Sequence, residues 1–434
     1  MAKEMDEKFD TLDFKKLPLY GLPISVKEAT MIKDYDQTMG FVHRIGKVSY
    51  RNSNLIQKLI DKGAIPFCLT NVPQSLLTFD CDNPIYGQTR NPFNPNRTCG
   101  GSSGGEGALI GSKASLVGFG SDLGGSIRIP AHFCECVGIK PGSTRLSDRD
   151  CLPIVPGRPM VKCSEGPLGQ NVDICVKILS SLMDEQKYDP TIAPIRWRDS
   201  VFHDTKKLKI GFYTDDDWFE PCPAVRRTVL EIVTYLHDHG HQMIGFKPPN
   251  IGKAFGLMIG AINVDGGSYL LDLFANDIIP KHYISLLLPF FFPYSIRLLL
   301  AYTIGFFYPR LQTYLTAFAA MMKEKEIDLI LCPANAGVAY KLGEALSLNP
   351  AFSYTAIYNL LDFPAGVVPV SRVTQTDIDE MVDYPITDSW SKLFKESMAS
   401  PDTLNLPISV QVVGPPYSEE QICRILAEIE MFEK

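Results

Sequence analysis

The 434-residue chain has no surplus of basic charge: 42 Lys and Arg stand against 49 Asp and Glu, a net charge of −7. No basic stripe with interleaved aromatics is available to neutralise a phosphate backbone, so nucleic acid is not an expected partner. Its eleven cysteines are odd in number and irregularly spaced from Cys68 to Cys423. That is unlike the dense, even pattern of a secreted disulfide scaffold, and free buried thiols in a reducing compartment are expected. Cys134 and Cys136 have no second pair at zinc-ligand spacing, so no metal is expected on them. Met1 to Asp10 is charged throughout, with no apolar run ahead of a small-residue cleavage site, which predicts a cytosolic start. A phosphate-binding loop is missing too. No Lys-Ser or Lys-Thr follows Gly105 or Gly125, and Gly118, Gly120 and Gly124 lack the spacing of a dinucleotide fingerprint.

What the chain does have is 45% hydrophobic residues and 21% charged ones, enough apolar side chain for a sizeable core. Short apolar runs alternate with helical patterns almost from end to end, which predicts an α/β fold with a parallel or mixed sheet. Strands are expected at Pro23–Val26, Ile65–Leu69, Ala114–Phe119, Leu208–Tyr213, Leu329–Cys332, Gly366–Val370 and Ile408–Val412. Helices are expected at Asn54–Lys62, at Ala224–His239 with Gly240 beyond its end, and from Ser418 to about Phe432. Ser371 to Thr403 is polar and aperiodic, a surface excursion with one helix near Trp390–Met398. Fourteen of the nineteen residues from Ile284 to Tyr302 are apolar, but Pro289, Pro293 and Arg297 near the middle argue against a membrane span. Two short amphipathic pieces lying in a membrane interface are expected there, with a buried helical hairpin as the alternative.

The segment Gly100 to Pro130, GGSSGGEGALIGSKASLVGFGSDLGGSIRIP, holds ten of the 33 glycines, clustered on both sides of one apolar strand. Glycine at a helix start is unfavourable by ~1 kcal/mol relative to alanine, so Gly104, Gly105 and Gly107 imply close backbone approach. Ser103 and Glu106 have capping-box spacing, which puts Ser102 and Ser103 at a helix N-terminus. The second cluster is expected on the loop after the strand. Its N–H groups at Leu123, Gly124 and Gly125 can converge on one point, the geometry of an oxyanion hole, with Ser126 as the nucleophile. Turn glycines and helix-capping serines would explain the same spacing.

A serine nucleophile needs a base. Of the seven histidines, His237, His239 and His241 surround a helix end where solvation accounts for them. His132, six residues beyond Ser126, is one candidate base. Lys27, at the end of the strand in GLPISVKEA, is another, because a buried ammonium can lose its proton near neutral pH.

Taken together, GLPISVKEA, TNVPQS, GGSSGGEGALIGS and SDLGGSIRIP resemble the amidase signature family, and the resemblance continues through SYTAIYNLLDFPAGVVPV and LPISVQVVGPP. The segment TNVPQSLLTFDCDNPIYGQTRNP is most similar to the branch of that family that cleaves fatty acid amides. The resemblance implies one α/β domain over residues 1–434, a central twisted mixed β-sheet covered by helices on both faces. Residues 1–19 would be a lead-in, 20–145 the catalytic core and 280–308 an apolar membrane cap. It implies a Ser-Ser-Lys triad of Lys27, Ser102 and Ser126, a cis peptide before Ser102, and an oxyanion hole from the N–H groups of Leu123, Gly124, Gly125 and Ser126. Asp122 and Arg128 would fix the loop and orient Ser103, and Leu76 and Leu77 would line an acyl channel. No metal or organic cofactor is implied.

The implied substrates are N-acylethanolamines and primary fatty acid amides. The implied partner is a membrane surface met through residues 284–307 on the cytoplasmic face of an intracellular membrane such as the endoplasmic reticulum, with a homodimer also open. Membrane-bound members carry a transmembrane helix before the lysine strand, which here begins about twenty residues from Met1, so anchoring would rest on the cap. For Lys27 to act as the base, burial must lower its pKa from ~10.4 to ~7 or 8, about 3 to 5 kcal/mol against the charged form.

Overall fold

The computed structural model describes residues 2–7, 9, 13–151, 161–183, 189–263, 265–287 and 307–432. The part of the expected membrane segment spanning 288–306 lies outside the described residues, as do Pro289, Pro293 and Arg297; before it, Ile284–Leu287 forms a short helix. Among the described residues no helix is long and apolar enough to cross a membrane.

Ten strands form one mixed sheet: β1 (Pro23–Lys27), β2 (Ile65–Thr70), β3 (Val117–Asp122), β4 (Val137–Lys140), β5 (Ser164–Gly169), β6 (Lys209–Phe212), β7 (Gln242–Gly245), β8 (Leu329–Pro333), β9 (Ala365–Arg372) and β10 (Pro407–Val413). Their spatial order is β2-β1-β3-β5-β4-β9-β10-β8-β6-β7. Each end of the sheet is parallel, β2-β1-β3 on one side and β8-β6-β7 on the other. The middle strands run antiparallel. β3, β5 and β10 are buried along their whole length, as strands covered on both faces must be.

Two apolar layers sit on the two faces. One gathers Leu55, Leu59, Ile178, Leu179, Ile232 and Ile425 from the helices Asn54–Asp61, Val172–Leu182, Pro223–Asp238 and Glu419–Ile429. The other gathers Ile110, Ile129, Met258, Phe318 and Tyr358 from Gly104–Gly111, Arg128–Phe133, Ile251–Ile262, Phe307–Glu324 and Ser353–Leu360. Each fully buried large apolar side chain contributes ~1.5–3 kcal/mol relative to exposure. In Phe307–Glu324, Leu311, Tyr314, Phe318 and Met322 recur at helical spacing on the buried side.

The structure moves several boundaries. β3 begins at Val117 instead of Ala114 and runs through Asp122, so Ser121 and Asp122 end the strand instead of opening the loop. Ala114 is tied back to the preceding helix end through its N–H to Leu109 C=O. β4, β5 and β7 carry too little unbroken apolar sequence to stand out; β5 reads SEGPLG. The polar stretch after β9 holds the helix Gln375–Asp379 as well as Ser389–Met398. His237 and His239 are exposed, but His241 is buried: it accepts from Leu208 N–H at Nδ1 and meets Glu428 at Nε2, 2.9 Å away. Solvation therefore does not account for His241.

Candidate active site

β1 ends on Lys27, and β3, its neighbour, ends on Ser121 and Asp122. The helix Gly104–Gly111 starts beside both, with Ser103 at its N-cap. Glycine permits this approach. A Cβ on Gly105 would lie 2.4 Å from Asn71 N, and one on Gly118 would lie 1.8 Å from Glu106 Oε2. Close backbone approach is therefore what these glycines supply. The expected capping box does not form, and Ser103 makes no side-chain cap bond. Glu106 turns into the sheet instead, where Ser25 Oγ (2.6 Å) and Thr70 Oγ1 (2.7 Å) donate to its carboxyl. Burial pushes that carboxyl up to about 7.

Lys27 is 1% exposed. Its Nζ lies 2.7 Å from Ser102 Oγ, 2.9 Å from Ser121 Oγ and 3.3 Å from the Ser121 carbonyl. The three oxygens match the three N–H bonds of an ammonium; once that group loses a proton, two N–H bonds can still donate to Ser121 while the lone pair faces the Ser102 hydroxyl. Burial pushes the Lys27 pKa down, against the pull of Cys163, Glu165, Asp122 and Cys81. The peptide bond between Gly101 and Ser102 is cis.

Ser126 stands against the same loop, its carbonyl accepting from Ser103 N–H at 3.1 Å. Among the described residues no hydrogen bond joins Ser126 Oγ to Ser102 Oγ. The loop carrying Ser126 is fixed by Asp122, whose carboxylate accepts from the N–H groups of Gly125 (2.8 Å) and Ile127 (3.0 Å). Arg128 grips Asp122 through Nε (3.0 Å) and Nη2 (2.9 Å), and both side chains are fully buried. Burial alone would push the Asp122 carboxyl up; the guanidinium outweighs it and holds the carboxyl below the usual range. Ser103 Oγ meets the Ser121 carbonyl at 3.4 Å and not the pair itself; its N–H reaches the loop the pair fixes, through the Ser126 carbonyl.

The expected oxyanion donors divide. Gly125 N–H is taken by Asp122, and the Gly124 carbonyl on the same peptide accepts from Thr355 Oγ1 at 2.7 Å. The N–H groups of Leu123, Gly124 and Ser126 meet no protein acceptor among the described residues. The alternative base is ruled out by geometry: His132 accepts from Ser409 N–H at Nδ1 and holds the Gly337 carbonyl at Nε2, each at 3.0 Å. Leu76 and Leu77 join the apolar cluster that contains Leu123, Met258 and Phe352. The chain two residues beyond Leu76 packs on the site directly, since a Cβ on Gly101 would lie 2.6 Å from the Thr78 carbonyl. Ser121 and Phe352 were not singled out from sequence. A polar residue at the end of a buried strand was the available signal for the first; the second carries none.

A family model for amidases matches residues 1–423. Fatty acid amide hydrolase 1 of Caenorhabditis elegans is 39% identical, the match covering 99% of this chain and 79% of the relative. Fatty-acid amide hydrolase 1 of Sus scrofa is 36% identical over 95% and 75%. A solved structure of a fatty acid amide hydrolase superposes with a TM-score of 0.84 at 27% identity, over 98% of this chain and 75% of that one. With its mixed sheet and helix-covered faces matching that structure, the chain belongs to the amidase signature family and is a carbon–nitrogen hydrolase resembling fatty acid amide hydrolase.

Proposed function

We propose that this amidase cleaves long-chain fatty acid amides, primary amides and N-acylethanolamines, to the free acid and amine through an acyl-enzyme on Ser126. The observation that carries the reading is the buried Lys27 amine at 2.7 Å from Ser102 Oγ. Neutral Lys27 takes the Ser102 proton as Ser102 takes that of Ser126, and Ser126 Oγ attacks the carbonyl carbon. For that transfer the Ser126 hydroxyl must come within hydrogen-bond reach of Ser102 Oγ as substrate fills the site. Leu123, Gly124 and Ser126 N–H groups hold the oxyanion, each worth about 3 to 4 kcal/mol at the transition state. The proton returns along Ser102 to the leaving nitrogen as the C–N bond breaks. Water, deprotonated by the same relay, then releases the acid and restores Ser126.

Support for a lipid substrate is the apolar surround of the nucleophile loop. The would-be Cβ of Gly124 has Phe352 Cε2 at 3.5 Å and Met258 Cε at 3.8 Å, and Phe352 is edge-on to Phe79 and Phe255. At ~0.8 kcal/mol per buried CH₂, a long acyl chain gains far more there than a short one. Lipid would enter from a membrane surface near Ile284, itself exposed. The test is hydrolysis of oleamide against acetamide by the native chain and by Ser126→Ala. Oleamide should be strongly preferred and the variant inactive on both; equal or better use of acetamide would overturn the substrate assignment.

A further inference from the structure

The sheet places one unassigned carboxyl next to the proposed base. β5 runs antiparallel to β3 with Glu165 directly opposite Ser121, the residue whose hydroxyl and carbonyl hold the Lys27 amine. Cross-strand partners project to the same face, so the two side chains are neighbours. Glu165 is 2% exposed, and neither of its carboxyl oxygens meets an N–H or O–H donor among the described residues. The Cys151 thiol, a weak donor, stands beside it. A carboxyl buried without strong donors holds its proton: burial pushes Glu165 up to about 8, while Lys27 draws it back and Asp148 adds to the rise. The other groups that face Lys27 are Ser102 and Cys81 from loops, Glu106 from the helix Gly104–Gly111, Asp122 from β3 and Cys163 just ahead of β5. Among the three carboxyls there, Glu106 receives two hydroxyl hydrogen bonds and Asp122 is neutralised by Arg128. Glu165 has neither.

We propose that Glu165 is a positioning residue for this amidase: its carboxyl and the Lys27 amine compete for one buried proton, and that competition sets the pH above which Lys27 acts as base. The proposal rests on the reading of Lys27 as the base. An ionised Glu165 favours the ammonium form and delays activity to higher pH; a protonated Glu165 leaves the amine free.

The test is the rate at which a fluorophosphonate probe labels Ser126 in the full chain as a function of pH. Native protein is compared with Glu165→Gln, Glu165→Leu, Glu165→Asp and Lys27→Ala, each checked for folding by thermal melting. Both neutral variants should label with the acid limb displaced toward lower pH by about one unit. Glu165→Asp, which keeps the charge, should restore the native limb. A folded neutral variant whose limb does not move overturns the proposal while leaving the base assignment intact. A Lys27→Ala chain that labels at the native rate with the native limb overturns the base assignment itself. If neither neutral variant folds, titration of ¹³Cε-labelled lysine in the native chain decides. A Lys27 resonance, identified by its loss in Lys27→Ala, should titrate in two steps; a single step overturns the proposal.

Discussion

Lys27 Nζ and Ser102 Oγ meet at 2.7 Å at a buried junction between the end of β1 and the turn that opens the helix Gly104–Gly111. The lysine arrives on a strand and the serine on a loop 75 residues away. Their contact depends on the small residues between them.

If Lys27 is the base, activity rises with pH as the ammonium loses its proton. Lys27→Ala should lower kcat/KM by about 10²- to 10⁴-fold and remove the acid limb, as expected when a general base is lost. Ser102→Ala should show a similar loss, because the two groups act as one relay. The check is a pH profile of oleamide hydrolysis for both variants.

The Asp122–Arg128 pair predicts a stability effect. Both side chains are fully buried, and Asp122 also holds the nucleophile loop. Asp122→Asn leaves an uncompensated guanidinium and should destabilise the fold by about 3 to 5 kcal/mol. Urea unfolding at neutral pH measures it, and a change within experimental error would contradict the pairing energy assigned here.

Two glycines should respond in opposite ways. At Gly118 a methyl group would strike Glu106 Oε2 at 1.8 Å, so Gly118→Ala should destabilise the fold by ~1–3 kcal/mol through forced displacement of that carboxyl. At Gly124 the nearest atom is Phe352 Cε2 at 3.5 Å, ordinary contact. Gly124→Ala should melt like the native chain yet bind long-chain amides more weakly. Thermal melting paired with KM for oleamide separates the two.

Much of this site could be read from the chain. Lys27, Ser102 and Ser126 are each tied to a recognisable short string; the structure puts the first two in contact and joins Ser126 to the neighbouring Ser103 through its backbone carbonyl. The contacts between strings could not be read. Glu106 has the spacing of a capping box, but the sheet next to it offers two hydroxyl donors and space left by Gly118, and tertiary contact overrode the local pattern. Gly125 lies in the string that suggests oxyanion donors, but its N–H is held by the Asp122 carboxylate, itself fixed by Arg128, a contact no local pattern shows. Glu165 sits on a strand whose sequence, SEGPLG, has neither alternation nor β-branched residues, so nothing local placed it opposite Ser121.

His132 gives a prediction of the opposite kind. Burial pushes its pKa down to about 4, against ~6.5 in an unfolded chain. Between those values the unfolded state takes up more protons, so stability is held above ~6.5 and lost as pH falls toward 4. His132→Gln should flatten that part of the stability curve, followed by urea unfolding, without moving the acid limb of activity. A shifted limb would put His132 in the proton path.

The most direct measurement is intact-protein and peptide mass spectrometry of the native chain after incubation with a fluorophosphonate. A single adduct on the peptide that carries Ser126, absent from folded Ser126→Ala and strongly slowed in Lys27→Ala, is the predicted result. No adduct on folded native protein, or one on a different residue, would contradict the assignment of the nucleophile.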